Sequence, residues 1–431
     1  MSNLASNPTL DVELTQPGQI DARPIPRVTI QAFCDSPEIA ATIEQAATDR
    51  RMSRAHVKVH TGGIGAAGDF YRTAPTPNLV VVESKLPAAQ LIAGLDTLAE
   101  VCDAGTKVMV IGHSNDVTLY RGLLKRGVSE YLVAPADVPA IITAISNIYR
   151  EASAEKLGQS YAFIGSKGGV GSSTVAHNLA WTMARMFGSD VILADMDLPF
   201  GTASLDFNLD PPQGIAEAVF GADRLDEVLL DRLLAKAEDH LSLLAAPATL
   251  DRAYDFGEGS FEQMLEIVQA NVPVVVLDVP HLWTSWAKKT LIAADEVIIT
   301  AAPDLANLRN AKSIIDFLKQ ARPNDSPPKL VLNQVGVQKR PEIKPDDFAA
   351  ALQLEPIAVM PFDPQLFGTA ANNGQMIAES NAKGIFAEMF EEMAQVVTGR
   401  KEVKKKKKGS FDLGPLMQRF KAKPKTNPKG K

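Results

Sequence analysis

The chain has 431 residues, of which 45% are hydrophobic and 22% are charged, and its two cysteines form no CxxC pair. These values fit a soluble globular protein of two or three domains in a reducing compartment. The net charge of −7 combines +11 over residues 400–431 with −18 elsewhere, so an acidic body with a basic tail is expected rather than a nucleic-acid-binding protein. The sequence shows neither a membrane span nor a signal peptide, which predicts a cytoplasmic protein.

The first part of the chain predicts one α/β domain behind a disordered segment. Residues 1–26 are polar, contain prolines and show no hydrophobic period, as in disordered chains. Residues 27–150 then alternate short β-rich runs (VTIQAF, VKVH, NLVVVE, KVMVIG, EYLVA) with helical patterns, which predicts a doubly wound parallel sheet. The last of these helices, expected from about Val138 to Glu155, leads into a linker at residues 151–159.

This order of elements resembles a response-regulator receiver domain, a flavodoxin-type fold. The resemblance implies a phosphoacceptor aspartate at the end of the third strand, where this chain has Glu83, and a lysine after the fifth strand, where it has Ala134 before Pro135. Asp35 beside Glu83 would make a poor magnesium and phosphoryl site. We interpret this domain as a degenerate receiver used for contact or positioning. The alternatives are a phosphorylated switch and a glutamate that permanently mimics the phosphorylated state.

A glycine-rich turn, GSKGGVGSST, follows an apolar run and leads into a helical pattern. Glycines let backbone N–H groups converge on an anion, and the next helix adds its positive end, so the turn predicts a phosphate loop. The bland alternative is a glycine-rich turn that binds nothing. The candidate nucleotide contacts are Lys167, Gly168, Gly169, Val170, Gly171, Ser172, Ser173 and Thr174.

Three aspartates lie at or beyond the ends of later strands. Asp195 ends the strand in DVILAD, Asp197 lies in the loop beyond it, and Asp278 ends VPVVVLD. Ligands of open α/β sheets collect at the carboxyl ends of strands, so these side chains should face the loop. We expect Asp195, Asp278 and the hydroxyl of Ser173 to hold Mg²⁺, with Thr174 as the alternative hydroxyl and the carboxylates usually acting through water. A single aspartate after a strand is more often a cap or turn residue.

The arrangement Lys-Gly-Gly-Val-Gly-x-Ser-Thr resembles the deviant phosphate loop of the MinD/ParA class of dimeric ATPases. The resemblance implies a P-loop NTPase fold over residues 160–398 that binds ATP and Mg²⁺. In that class the early lysine, here Lys167, reaches the nucleotide of a partner copy, and the second aspartate, here Asp197, positions the attacking water. Further residues match the positions that flank the base, although these types are also common in turns: Asn333, Pro361 and Asp363.

The pattern departs from that class at Ser172, which replaces a lysine. The lysine would donate charge-assisted hydrogen bonds to the β and γ phosphates, each worth about 1.5–3 kcal/mol. Without these bonds the affinity for ATP falls by a factor of about 10–100. The rate of hydrolysis falls by about 10²–10³, because a preorganised donor to the transition state is lost. We therefore expect that ATP is bound and hydrolysed slowly or not at all, and that it acts mainly as a dimer clamp.

A degenerate receiver ahead of a MinD/ParA-like domain resembles the CpaE/TadZ family of tight-adherence (Flp) pilus assembly proteins, over residues 28–398 and especially in GHSNDVTLYRGLLKRGVSEYLVAP. The resemblance implies a homodimeric localisation factor that sits at the inner membrane face or pole and recruits the pilus secretion machinery. Two alternatives stay open: an active ATPase that positions a division or DNA cargo, and a nucleotide-free scaffold. The tail at 399–431, with Lys404 to Lys408, would contact anionic lipid or a partner, or stay solvated and disordered.

Overall fold

The structure is a computed structural model that describes residues 24–150, 157–250 and 252–401. The described residues form two α/β sheets that follow each other along the chain, as the sequence predicts. No helix among them is long and apolar enough to cross a membrane. The predicted basic tail from Lys404 to Lys408, and most of the segment 1–26, lie outside the described residues.

Residues 24–150 form a five-stranded sheet with helices on both faces. Its strands are β1 (Thr29–Cys34), β2 (His56–Thr61), β3 (Leu79–Ser84), β4 (Lys107–Gly112) and β5 (Glu130–Val133). Its helices are α1 (Pro37–Ala47), α2 (Gly63–Phe70), α3 (Ala88–Val101), α4 (Val117–Lys125) and α5 (Val138–Arg150). The strand order is β2-β1-β3-β4-β5, and all pairs are parallel. Apolar cores on both faces bury β3 along its whole length, which explains its run of Leu and Val residues.

The N-terminal end of this sheet unit lies earlier than the boundary expected from the sequence. Ile25, assigned to the N-terminal segment, is fully buried in one of the two cores, and its N–H donates to the Arg51 carbonyl at 2.8 Å. A single buried residue ahead of a strand has no periodic signal, so the sequence did not reveal it. The helix expected from about Val138 to Glu155 is described as α5 as far as Arg150, and the rest of that prediction lies outside the described residues.

Residues 157–250 and 252–401 form an eight-stranded sheet. Its strands are β6 (Gln159–Gly165), β7 (Val191–Asp195), β8 (Ala235–Glu238), β9 (Leu241–Leu244), β10 (Val274–Val279), β11 (Glu296–Ala301), β12 (Lys329–Val335) and β13 (Pro356–Pro361). The helices are α6 (Ser172–Phe187), α7 (Ala203–Asp206), α8 (Ile215–Phe220), α9 (Glu227–Leu233), α10 (Glu262–Asn271), α11 (Ser285–Ala293), α12 (Leu305–Ala321), α13 (Pro345–Leu352), α14 (Pro364–Asn373), α15 (Ile377–Ser380) and α16 (Ile385–Val397). All strand pairs are parallel except β8 with β9.

The strand order of this second sheet places its ligand edge. The order is β13-β12-β11-β6-β10-β7-β9-β8. The strands β7 to β10 therefore lie on one side of β6, and the later strands β11 to β13 lie on its other side. Open α/β sheets bind ligands at such a switch point, outside the carboxyl ends of the strands. At this edge lie the turn after Gly165, the end of β7 at Asp195 and Asp278 near the end of β10.

A buried cluster of charges joins the two sheets. Nε of Arg50 and Nε of Arg322 each donate to Oδ2 of Asp325 at 2.6 Å, and Arg51 pairs with the other oxygen of the same carboxylate. The side chains of Arg50, Arg51 and Asp325 are only 9%, 3% and 5% exposed. Burial would raise the pKa of Asp325, but the arginine charges outweigh it and hold the pKa below its ordinary value.

Candidate nucleotide-binding site

The glycine-rich turn connects β6 to α6, and its backbone takes a conformation that requires glycine. Gly169 and Gly171 have φ of +79° and +85°, a region that L side chains rarely adopt. A Cβ at Gly171 would also lie 2.6 Å from Nδ2 of Asn333, so that position lacks the space as well. The turn ends at the N-terminus of the 16-residue helix α6, whose exposed N–H groups and dipole favour an anion.

Side chains from surrounding segments hold the carbonyl oxygens of this loop. Hydrogen bonds run from His281 to the carbonyl of Gly165 (2.7 Å), from Asn310 to that of Ser166 (2.9 Å), from Gln334 to that of Gly169 (2.9 Å) and from Asn333 to that of Val170 (2.9 Å). These four hydrogen bonds fix the peptide groups of the loop, so the protein itself holds the loop backbone in one conformation. A backbone held in this way suits an anion, because its N–H groups need little reorganisation to converge on it.

The hydroxyl residues at the start of α6 lie where the sequence places them. Ser172, Ser173 and Thr174 form the first turn of the helix and are partly buried. The Ser172 hydroxyl oxygen is buried and, within the described residues, has no hydrogen-bond partner. A buried hydroxyl without a partner at the head of a helix fits contact with an oxygen-rich ligand. Lys167 is exposed, and its charge is one of several influences that lower the pKa of Asp304.

Asp195 and Asp278 form a buried carboxylate pair at the ends of adjacent strands. They are direct partners in the register of β7 and β10, and they are 0% and 4% exposed. Burial and the charge of Asp278 raise the pKa of Asp195 to about 7. Two carboxylates in a buried site repel each other unless a cation or a proton is shared, so the pair fits a divalent cation.

The protein alone does not complete a metal shell at this pair. Among the described residues, no cluster of three or more His, Cys, Asp or Glu side chains could hold a metal ion. Mg²⁺ characteristically keeps several waters and binds through one or two carboxylates together with phosphate oxygens. Asp195 and Asp278 thus fit an ion that arrives with a phosphate ligand, and a place for Ser173 in that shell stays a prediction.

Asp197 lies in the loop after β7, within the same hydrogen-bond network. Its backbone N–H donates to Oδ1 of Asp195 at 3.2 Å, and its side chain accepts from the N–H of Phe200 at 3.3 Å. A Cβ at Gly201 would lie 2.3 Å from Oδ2 of Asp195, so this loop packs directly on that carboxylate. Asp197 therefore forms a turn at the ligand edge, and its side chain is partly buried.

The residues expected to flank a base are engaged in local structure. The amide of Asn333 donates to the phosphate loop and accepts the N–H of Gln334 at 2.8 Å. Pro361 ends β13, and Asp363 caps α14 by accepting the N–H of Leu366 at 2.9 Å. These contacts match the turn and cap roles that their residue types favour. A contact with a base remains a prediction for all of them.

Sequence reasoning missed His177, which lies at the centre of the site. Its ring is fully buried, with Nδ1 2.7 Å from Oδ2 of Asp206 and Nε2 3.2 Å from Oδ2 of Asp278. Burial alone would lower the pKa of His177, but hydrogen bonds with the two carboxylates raise it to about 10. The available signal was a histidine inside the apolar run VAHNLAW. The loop clamps Asn310 and Gln334 were missed as well.

Glu83 occupies the position at which a receiver domain has its phosphoacceptor aspartate, and its carboxylate already accepts several hydrogen bonds. Glu83 is 0% exposed and accepts hydrogen bonds from the N–H of Ser36 (2.8 Å), the hydroxyl of Ser36 (2.5 Å) and Nε2 of His113 (2.9 Å). Burial would raise the pKa of Glu83, but the hydrogen bonds from Ser36 and His113 hold it below its ordinary value. Asp35 is turned to a backbone N–H, that of Lys85, at 3.4 Å.

Known proteins match the second half of the chain in both sequence and fold. Residues 158–330 match the family model of the AAA domain. The septum site-determining protein MinD of Synechocystis sp. is 25% identical over 238 residues, which are 54% of this chain and 87% of that protein. A ParA family ATPase from Chlorobium tepidum has the same fold over 55% of this chain and 99% of its own, with 22% identity and a TM-score of 0.51. Together with the loop and the strand-end carboxylates, these matches define a protein of the MinD/ParA class.

The N-terminal part of the chain narrows this class to one family. The crystal structure of the pilus assembly protein CpaE from Caulobacter crescentus is 54% identical across 30% of this chain and 97% of its own, with a TM-score of 0.29. Identity at this level over nearly the whole of that protein shows common descent. The chain belongs to the CpaE family of pilus assembly proteins, as the sequence resemblance predicts.

Proposed function

We propose that this protein is an ATP-binding localisation and assembly factor of type IVb (Flp/Tad) pilus biogenesis. It forms a nucleotide-dependent homodimer and hydrolyses ATP weakly or not at all. The observation that carries the proposal is the phosphate loop preorganised beside the carboxylates Asp195 and Asp278, in a chain of the CpaE family. We assign nucleotide binding to a domain at 160–398 and contact or positioning to a degenerate receiver domain at 27–150.

In this proposal different residues of the site bind different parts of the nucleotide. The loop N–H groups from Gly168 to Thr174 bind the phosphates, and Ser173, Asp195 and Asp278 hold Mg²⁺. When bound, Mg²⁺ neutralises charge on the phosphate oxygens. Asp197 orients the attacking water. The remaining roles are inherited from the family resemblance: Lys167 for the nucleotide of a partner copy, and Asn333, Pro361 and Asp363 for the base.

Weak hydrolysis follows from the residue at the head of α6. The short Ser172 side chain offers one hydroxyl where related loops have a charged amine, and that hydroxyl has no partner within the described residues. The loop N–H groups can still hold the phosphates, so ATP still binds, with an affinity lower by a factor of about 10–100. The rate of ATP hydrolysis is expected to fall by a factor of about 10²–10³, because the transition state depends on hydrogen-bond donors that are held in place.

The family resemblance supports a position at the cytoplasmic face of the inner membrane or at a cell pole, with pilus secretion machinery proteins as partners. The tail from Lys404 to Lys408, which lies outside the described residues, would add about 1 kcal/mol for each basic residue near an anionic lipid surface. This attraction would make the membrane contact peripheral and sensitive to salt.

Sedimentation velocity on the full-length protein with Mg²⁺ and ATP, ADP or no nucleotide tests the proposed clamp. We expect a dimer with ATP that is lost in Lys167→Ala, while Lys85→Ala, at an exposed lysine of the first sheet, retains it. A protein that stays monomeric with ATP would contradict the clamp. Rapid ATP turnover that Asp197→Ala abolishes would instead favour an active ATPase that positions a cargo.

A further inference from the structure

The single-turn helix α7 is tied to both strand-end carboxylates. At its first residue, the N–H of Ala203 donates to Oδ2 of Asp195 at 3.0 Å. At its last residue, Asp206 contacts Nδ1 of His177 at 2.7 Å. The other ring nitrogen of His177 contacts Asp278 at 3.2 Å. One end of the helix is therefore connected to Asp195 directly, and the other end is connected to Asp278 through an imidazole ring.

The surroundings of His177 distinguish it from an ordinary core histidine. Its side chain is 0% exposed, and its ring centroid lies 6.1 Å from that of Phe207, so an isolated polar ring would be costly here. Both ring nitrogens contact carboxylates from different elements, α7 and β10, rather than a nearby backbone carbonyl. An apolar residue at this position would leave Asp278 without that hydrogen bond and α7 without its tie to β10.

We propose that His177 is a positioning residue that couples Asp278 to α7. Through this bridge, occupancy of the strand ends by Mg·nucleotide sets the conformation of residues 196–206, which include Asp197. The inference rests on the proposed nucleotide function and adds to it the regulation of this loop. A ring that must satisfy two carboxylates has one orientation, so a shift of Asp278 is passed to Asp206. Partners behind metal ligands generally orient those ligands and tune metal affinity.

Binding of ADP to the full-length protein, with and without Mg²⁺, tests the first half of this proposal. In His177→Gln and Asp206→Asn, we expect the extra affinity conferred by Mg²⁺ to fall about tenfold or more, as is typical for partners behind metal ligands. ADP affinity without Mg²⁺ should stay as in the wild type, which a general loss of structure would not allow. The matched control is His240→Gln, since His240 also pairs with an aspartate, Asp190 at 2.9 Å, but its side chain is 47% exposed.

Hydrogen exchange over residues 196–206 tests the second half. Mg·ADP should slow exchange in this segment of the wild type and of His240→Gln, and the effect should be absent in His177→Gln. If His177→Gln does not fold, Asp206→Asn tests the same bridge, because the Asp206 side chain is 22% exposed and easier to replace.

The two ways of failing can be told apart. If both variants keep the wild-type response to Mg²⁺ and the wild-type protection of 196–206, the bridge is overturned and the nucleotide function stands. If the wild type itself binds no Mg·ADP, the proposed function falls and this inference falls with it.

Discussion

Glu83 explains at the scale of one residue why the first sheet is unsuited to the chemistry of a phosphorylated receiver. A receiver needs a carboxylate that is free to attack a phosphoryl donor, with metal-binding acids beside it. Here the carboxylate is fully buried and already accepts hydrogen bonds from Ser36 and His113. The position is therefore stabilising rather than reactive, in line with a domain used for contact.

This role predicts a pH-dependent effect of Glu83→Gln. The pKa of Glu83 in the folded protein lies below its ordinary value of 4.5. The ionised carboxylate therefore stabilises the fold fully above pH 4.5, and this stabilisation is lost as the pH falls through the pKa of the folded state. The variant should lose about 1–3 kcal/mol of unfolding free energy at pH 7, with a smaller difference from wild type in acid. Urea denaturation measures this, with Asp69→Asn, at a 79% exposed side chain, as the control. Equal stability at pH 7 would contradict the assigned role.

The strand-end acids were predictable from sequence, whereas their partner His177 was not. Asp195 and Asp278 each follow an apolar run, and the geometry of open sheets then brings both to one edge. His177 contacts residues that are 29 and 101 positions away, and that proximity exists only after the strands are ordered. Its sequence context alone favours a core residue.

The junction of loop and helix predicts opposite outcomes for two neighbouring glycines. Gly171→Ala places a Cβ at φ +85° and 2.6 Å from the Asn333 amide, so it should lower the unfolding free energy by about 1–3 kcal/mol. Gly168→Ala meets no atom within 4 Å and should leave stability unchanged or raise it by about 0.4–1 kcal/mol. Urea denaturation without nucleotide measures both. A Gly171→Ala variant as stable as Gly168→Ala would show that the loop is not held as described.

The elements themselves were largely predictable, because each follows its own hydrophobic period. The five strand–helix units predicted for the first sheet are present in order. The amide clamps of the loop were not predictable, since Asn310 and Gln334 reach it from 144 and 165 positions away. The hydrophobic period of a helix or strand does not indicate which distant group one of its polar residues contacts.

For the whole molecule, the charge cluster around Asp325 predicts that the two sheets depend on each other. Asp325→Asn would leave Arg50, Arg51 and Arg322 buried without their shared counter-ion, at a cost of about 3–5 kcal/mol. Asp316→Asn is the control, because its pair with Lys312 on α12 is exposed and should be worth about 0–1 kcal/mol. Urea unfolding followed by circular dichroism measures the difference. Similar losses in the two variants would contradict a buried joint.

The sequence identified two α/β units but not how they meet. Arg50 and Asp325 are 275 positions apart, and in sequence both look like ordinary surface charges. Burial of such groups depends on the shapes of two finished surfaces, which composition and period do not describe. The family resemblance, by contrast, could be predicted from the sequence, because it rests on a contiguous motif in each of the two α/β units.

A titration of the purified full-length protein with Mg·ATP shows whether the proposed site binds nucleotide. We expect saturable binding in the micromolar range that Asp278→Ala weakens, because the preorganised loop and the strand-end carboxylates would bind the phosphates and their metal together. Absence of binding up to millimolar ATP would contradict this expectation. The phosphate loop would then be a relic, and the function would lie in the protein contacts of the two sheets.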